Sequence, residues 1–564
     1  MKLRSALMLV FDLLVILALL AVRWGAQPHG VPDTSIQAIA ELPNWWWNYG
    51  SFHDWLLVGP DAGNWAANAQ NWIDGATLDS HRLPTYTVLA AWFGGWFGDV
   101  VFGGHMANHV ISTMTCVVAY GIGVSTTNRA VGLGAALLTA WSPELVNNQL
   151  LYGVDPSLQL LVATLCLSTW LAVSRRSVWW IVLVGIVVGL LSATHYLGLL
   201  FAPIPLFLLF VCRGAAPDYL DPGWKIRAAR AVATLVVGFV MWKVVTNPWP
   251  DLSLAMVASV FTQGVAGSDG RVVGPSHMEQ ATAAQLVLSN LPTAPGLAVQ
   301  RGLRSLSVGV LPWGLLLGMF WLGVASPYVR KEGVRGWNWQ SGVVLLCFLV
   351  PLVALEASRA PDRYALFSRP IIFVIVMRGL WNVGIGVLKL YGFVRNTSAH
   401  ERVGQLFSVS IIASLLFTIQ APLTSRWNLS PPTDEGLAER SIAAKISESM
   451  PNALGVVTSS QSIPFYAGMD SCPQSQCLPG GAQQNAQCIE RILSECAGSG
   501  AIPYLVIESL NAGLGNQPLT ELDTVLASEF TPVDVARARN YSVTLYGLDR
   551  AKLRVIQQSL SVQR

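Results

Sequence analysis

The sequence is short of charge. Asp, Glu, Lys and Arg make up only 12% of its 564 residues, where soluble globular domains carry about 25%. That shortfall excludes an ordinary soluble protein. A net charge of only +3 and the lack of a basic stripe leave no footprint for nucleic acid. No Walker-type glycine-rich loop occurs, which removes the P-loop nucleotide enzymes. The 50 glycines mostly lie in or between apolar runs, where membrane helices tolerate them. Also missing is a small-residue cleavage site after Ser5–Val22, an apolar run longer than a signal-peptide core, so this stretch is expected to remain as a first helix.

Apolar length, by contrast, is abundant. Hydrophobic residues account for 52% of the chain, and the mean hydropathy is +0.47. Runs long enough to cross the hydrocarbon core as helices fall near 5–23, 106–125, 130–147, 157–174, 177–194, 197–212, 231–247, 306–326, 341–356, 370–388 and 404–421. The expected fold is an all-α polytopic membrane domain of about eleven spans over residues 1–425, with large loops at 24–105 and 248–305. A small α/β extracytoplasmic domain is expected over 430–564.

The cations orient these spans. Lys2 and Arg4, Arg129, Arg175 and Arg176, Arg213 to Arg230, Arg330 to Arg335, and Lys389 to Arg402 all fall on one side of an eleven-span arrangement. Positive-inside bias makes that side cytoplasmic. The N-terminus is then inside and the C-terminus outside, together with 24–105, 248–305 and the links near Asp155, His195 and Arg363. Arg378 alone resists, falling within the tenth span. Either that span ends early and leaves Arg378 near the inner interface, or Arg378 faces a groove for an anion.

Cys116, Cys166, Cys212 and Cys347 lie in or beside spans and read as inert fillers. Cys472, Cys477, Cys488 and Cys496 cluster in the outer region, where two disulfides are expected with three pairings open. Their spacing lacks the paired knuckles of a zinc ribbon. In the same region Pro431-Pro432-Thr433-Asp434 reads as a linker, Leu454–Thr458, Tyr504–Ile507 and Tyr541–Tyr546 as strands, and Thr520–Phe530 as a helix.

The chemistry gathers in the outer loops. In Gly59-Pro60-Asp61-Ala62-Gly63-Asn64-Trp65 an aspartate sits among Trp55, Trp65 and Trp72, followed by His81 and Arg82. Asp61 suits a general base at the bilayer surface, and equally an N-cap for a helix over Ala62–Ile73. Asp155, directly before Pro156, is an acidic ligand or a helix cap. His195 is polar chemistry or a turn breaker. Arg363 is a phosphate clamp, or a partner of Asp362 or Glu356. The loop 248–305, with Asp269, Arg271, His277 and Glu279, reads as a closing loop or as a passive one with an interfacial helix near 279–290.

These segments resemble the GT-C glycosyltransferases, which include the protein O-mannosyltransferases and the lipid A aminoarabinose transferases. The resemblance is carried over about 1–390 by Gly59-Pro60-Asp61 with Ser80-His81-Arg82-Leu83-Pro84-Thr85-Tyr86. Asn128-Arg129-Ala130-Val131-Gly132 through Trp141-Ser142-Pro143, Val154-Asp155-Pro156-Ser157 and Asp362-Arg363-Tyr364 add to it. Two departures stand out: Asp61 is followed by Ala62 where many relatives carry an acidic doublet, and Trp65 occupies a frequent Tyr position. Trp46-Trp47-Asn48-Tyr49-Gly50 is similar to the oligosaccharyltransferase signature WWDYG, but it sits in the first outer loop with Asn48 for the aspartate and is read as coincidence.

The resemblance implies sugar transfer from a polyprenyl-phosphate donor to a glycan, lipid or protein acceptor outside a bacterial cytoplasmic membrane. It implies a single inverting displacement, with Asp61 as base and Asp155 orienting the acceptor or a nearby cation. Arg363, Arg82, His81, His195 and Tyr364 would bind the donor phosphate. No cofactor is expected; a divalent metal is disfavoured by the missing doublet. A transporter would show two related halves with broken spans, which the sequence lacks. A non-catalytic envelope assembly protein would use its aspartates only as caps.

Overall fold

The computed structural model describes residues 62–76, 78, 83–150, 152–175, 177–212, 223–247, 290–307, 313–324, 339–357, 366–390, 432–449, 456–457, 462–468, 504–510, 532–538 and 541–547, with positions 10, 12, 14, 16 and 57. Two helices, α1 (Ala62–Asp74) and α2 (Pro84–Phe97), form a hairpin ahead of the long helices. Pro84 opens α2 at a position where its missing N–H costs nothing, and Gly98 closes it at φ 73°.

The long helix α3 (Val100–Thr126) follows at once, its first turn capped by Asp99 Oδ1, which accepts from Phe102 N at 2.9 Å. Next come α4 (Arg129–Trp141), α5 (Pro143–Leu150), α6 (Asp155–Arg175) and α7 (Val178–Ser192). A 3₁₀ turn (Tyr196–Leu200) then leads into α8 (Pro203–Val211) and α9 (Trp224–Thr246). The second half holds α10 (Ala294–Ser307), α11 (Trp313–Val324), α12 (Trp339–Cys347), α13 (Val350–Ala357) and α14 (Arg369–Leu390).

The apolar runs expected as spans between 106 and 388 fall largely on described helices, with two kinds of change. Prolines divide three of them. Ser142 is held extended ahead of Pro143 and separates α4 from α5. A 3₁₀ turn precedes Pro203, and α12 is parted from α13 just before Pro351. The second change concerns Arg378: its helix continues to Leu390, so the residue sits mid-span, 0% exposed. The helix thus does not end beside Arg378, which is buried within the bundle.

Four described helices are long and apolar enough to span a membrane: Val100–Thr126, Asp155–Arg175, Trp224–Thr246 and Leu366–Gly384. They differ in surroundings. The apolar window of Leu366–Gly384 is 94% buried, whereas that of Trp224–Thr246 is 17% buried, with Val236, Phe239 and Val244 facing outward. The first is the bundle's central post and the second a lipid-facing wall. Spans near 5–23 and 404–421 lie wholly or largely outside the described residues, as do the helix near 279–290 and Thr520–Phe530.

At the C-terminal end, Pro432 begins a helix, α15 (Pro432–Ser449), where a linker was expected; proline at a first helical position is compatible with the fold. Then follow β1 (Val456–Val457), α16 (Ser462–Ala467), β2 (Tyr504–Leu510), β3 (Pro532–Ala538) and β4 (Tyr541–Gly547). The sheet order is β1-β2-β4-β3, with β1 parallel to β2 and the other pairs antiparallel. The strands expected near 454–458, 504–507 and 541–546 are present; β3 was not anticipated. Helix α15 packs on β3 and β4, and α16 packs on α1. Cys472, Cys477, Cys488 and Cys496 lie outside the described residues; Cys116, Cys166, Cys212 and Cys347 are free thiols.

Candidate functional site

The expected site residues sit where helices start. Asp61 directly precedes the first residue of α1, and the helix it was expected to head is present, extending to Asp74. His81 and Arg82 lead into Leu83 and α2, and Arg363 and Tyr364 lead towards Leu366 and α14. The placement of these five side chains lies outside the described residues. Asp155 and His195 are described, both half-buried.

The described residues bring most of these starts together. Thr85, at the head of α2, donates its N–H to Ala193 O at 3.3 Å and its hydroxyl to Leu190 O at 3.4 Å. This holds the start of α2 against the end of α7, two residues before His195. An aromatic chain links the others. Trp65 of α1 meets Tyr86 of α2 edge-on at 5.5 Å. Tyr86 meets Tyr152 at 5.7 Å, and Tyr152 meets His105 of α3 at 5.4 Å.

Tyr152 also donates its hydroxyl to Val100 O at 3.1 Å, fixing the short reversal that launches Asp155 into α6. Tyr86 donates to Gly104 O at 3.3 Å. Burial pushes both phenols up, so each remains a protonated donor across the physiological range. The starts of α1, α2, α6 and the 3₁₀ turn thus share one end of the bundle, where their N-terminal dipoles favour negative charge.

Val154 directly precedes α6, its carbonyl accepting from Leu158 N at 3.1 Å, and Asp155 occupies the first turn. His195 serves as a cap: its Nδ1 accepts from Leu197 N at 3.1 Å. In the neutral ring this places the proton on Nε2. The start of α14 joins the same end through an ion pair between Arg369 and Glu144 at 2.7 Å, with Ser142 Oγ 3.3 Å from Glu144. Sequence reasoning missed this pair, along with Tyr86 and Tyr152. A cavity of about 520 Å³ lies between the far end of α2 and the C-terminal unit, lined among others by Gln70, Asp99, Arg440 and Tyr466. Among the described residues no group of three His, Cys, Asp or Glu side chains is arranged to hold a metal ion.

An apolar helical bundle, preceded by a helical hairpin and followed by an α/β unit, is a fold that this chain shares with solved membrane proteins. The chain is similar in structure to the archaeal oligosaccharyltransferase AglB from Archaeoglobus fulgidus, solved with an inhibitory peptide and a dolichol-phosphate. That likeness has a TM-score of 0.56 and 14% identity, over 88% of this chain and 69% of AglB. It is similar also to ArnT from Cupriavidus metallidurans bound to undecaprenyl phosphate, with a TM-score of 0.51 and 12% identity over 95% of this chain and 97% of ArnT. No protein-family model and no curated sequence matches the chain.

Proposed function

We propose that this protein transfers a sugar from a polyprenyl-phosphate-linked donor to a glycan, lipid or protein acceptor at the extracytoplasmic face of a bacterial cytoplasmic membrane. The observation that carries this reading is the meeting of the starts of α1, α2, α6 and the 3₁₀ turn at one end of a GT-C-like bundle; Asp61 and Arg82 immediately precede two of these starts in sequence, and Asp155 and His195 lie at the others. The lipid phosphates bound to AglB and ArnT support a lipid-phosphate donor here.

In this mechanism the donor's lipid lies in the bilayer and its phosphate meets Arg363, Arg82, His81, His195 and Tyr364. Cationic and N–H donors there offset the charge that develops on the departing phosphate. Asp61 takes the proton from the acceptor hydroxyl as its oxygen attacks the anomeric carbon, which inverts. A positioned base contributes about 10²–10⁴-fold in rate. Asp155, in the first turn of α6, orients the acceptor. The N-terminus is cytoplasmic and the C-terminal unit outside, packed against α1, where the adjoining cavity gives an acceptor space to approach. No metal is needed for this sequence of steps.

The test compares wild type with Asp61→Asn in nanodiscs, using radiolabelled polyprenyl-phosphate sugars and membrane-extracted acceptors. Asn keeps the size and capping capacity of the side chain but is no base. The expected result is donor binding kept and turnover reduced by at least about 10²-fold. Equal turnover would move the base elsewhere, and no donor binding by wild type would sink the glycosyltransferase reading.

A further inference from the structure

The cavity of about 520 Å³ beside the hairpin sits at the head of a membrane span. Gly94 and Gly95, near the end of α2, line it together with Asp99, and Gln70 of α1, Arg440 of α15, and Phe465 and Tyr466 of α16 complete the lining. Only Gly98 and Asp99 separate α2 from Val100, the first residue of the 27-residue apolar helix α3. About twenty helical residues cross the hydrocarbon core, which leaves at most about 10 Å of α3 outside it. Asp99 and the cavity therefore lie at the level of the lipid headgroups.

The exposed side chains of α2 agree with that level. Trp92 and Trp96 are 53% and 68% exposed, one turn apart, with ring centroids at 4.5 Å. Tryptophans on the surface of a membrane protein gather where headgroups meet hydrocarbon. Gly94 and Gly95 lie between these two in sequence, so the stripe and the cavity share one stretch of helix. The polar lining holds a charge of each sign. Arg440 brings a guanidinium, which suits phosphate. Asp99, held by its bond to Phe102 N, and Gln70 suit hydroxyl groups. Phe465 and Tyr466 also pack against the cluster of Trp65, Tyr86 and Tyr152, which places the cavity beside the end where transfer is proposed.

We infer that this cavity receives the head of a membrane lipid bearing phosphate and hydroxyl groups, its chains remaining in the bilayer beside Trp92 and Trp96, and that the acceptor is this lipid. The choice of acceptor rests on the transfer reading above; the binding of the head does not. In the transfer, one head hydroxyl gives its proton to Asp61 and its oxygen to the anomeric carbon, and the carrier phosphate departs with the bonding pair. The donor's own phosphate is met elsewhere, by the residues that precede α2 and α14, which leaves this cavity for the second lipid.

The test places the full-length protein in phosphatidylcholine nanodiscs containing phosphatidylglycerol or phosphatidylinositol, whose heads carry both groups, and counts the lipids it retains by native mass spectrometry. Wild type is expected to retain at least one of the two about tenfold more readily than phosphatidylcholine. Gly95→Leu fills the cavity without disturbing its walls, because a Cβ at Gly95 meets no described atom within 4 Å, and leucine favours a helix over glycine. This variant should lose the preference while its thermal midpoint holds or rises and its affinity for undecaprenyl phosphate is kept. No preference in wild type, or one that survives in Gly95→Leu, would overturn the inference. Displacement by glycerophosphoglycerol or glycerophosphoinositol, the same heads without chains, would turn the acceptor into a soluble one, and displacement by undecaprenyl phosphate would give the cavity to the donor. With labelled polyprenyl-phosphate sugars, transfer to soluble acceptors that survives Gly95→Leu would overturn the lipid acceptor and leave the glycosyltransferase standing. Retention of the lipids by a wild type that binds no undecaprenyl phosphate would sink the glycosyltransferase and leave the lipid site standing.

Discussion

The two ends of the helical bundle differ in how their buried polar groups are partnered. At the end away from Asp155, the first helix places Asp12 against α3 and α4. Its Oδ2 accepts from Tyr120 Oη at 2.6 Å, Arg129 Nε at 2.8 Å and Arg129 Nη2 at 2.7 Å. Nearby, Trp170 of α6 donates to Ser125 O at 3.0 Å. These groups complete one another, although Thr127 Oγ1 and Thr169 Oγ1 at the same end have no partner among the described residues. At the other end Asn148, Ser157 and Gln159 are buried as deeply and left unpaired. Polar groups that complete one another hold a fold together, while buried groups left unpaired cost it stability.

Breaking the satisfied end has the largest expected effect on stability. Asp12→Ala removes the acceptor shared by Arg129 and Tyr120. Loss of one partner from a buried pair costs about 3–5 kcal/mol. The lower figure applies here, because 30% of the Arg129 side chain is exposed and can be hydrated. Thermal unfolding followed by tryptophan fluorescence should show a lowered midpoint, while affinity for undecaprenyl phosphate stays at its wild-type value. A changed affinity would mean that the two ends are coupled and the contrast is false.

The middle of the bundle sharpens the contrast, with the opposite sign. Arg378 is 0% exposed, and its Nε, Nη1 and Nη2 have no partner. Nine residues earlier on the same helix, Arg369 has Glu144. Replacing buried ionic groups with apolar ones of similar volume is often neutral or stabilising by about 1–4 kcal/mol. Arg378→Met is therefore expected to raise the midpoint of the ligand-free protein. A lowered midpoint would show that Arg378 holds an anion in the membrane.

Much of this arrangement was legible from the chain. Apolar runs gave the span positions because a buried or lipid-facing helix has little choice of composition. Charge placement put Asp155 and His195 at one end and Arg129 and Arg175 at the other, and the helix directions agree with that grouping. The breaks before Pro143, Pro203 and Pro351 were passed over, although proline's effect on its predecessor is a local rule. The unpaired amides were harder to see. Asn147-Asn148-Gln149 at the end of an apolar run was a visible signal, but which amides turn inward depends on the α5–α6 reversal that Tyr152 fixes. The Arg369–Glu144 pair joins residues far apart in sequence, and no local pattern announces it.

The smallest expected effect probes where the C-terminal unit meets the helices. The hydroxyl oxygen of Tyr466, in α16, accepts from Leu57 N at 2.5 Å, four residues before Asp61 in sequence. Phe465 and Tyr466 pack against the cluster containing Trp65, Tyr86 and Tyr152. Tyr466→Phe removes the acceptor but keeps the ring, at a cost of about 0.5–1.5 kcal/mol for one hydrogen bond. The global midpoint should move little, while hydrogen exchange at the Leu57 amide should quicken. Unchanged exchange there would mean that the α/β unit rests on the α1–α2 hairpin through ring packing alone, and that it does not fix the approach to Asp61.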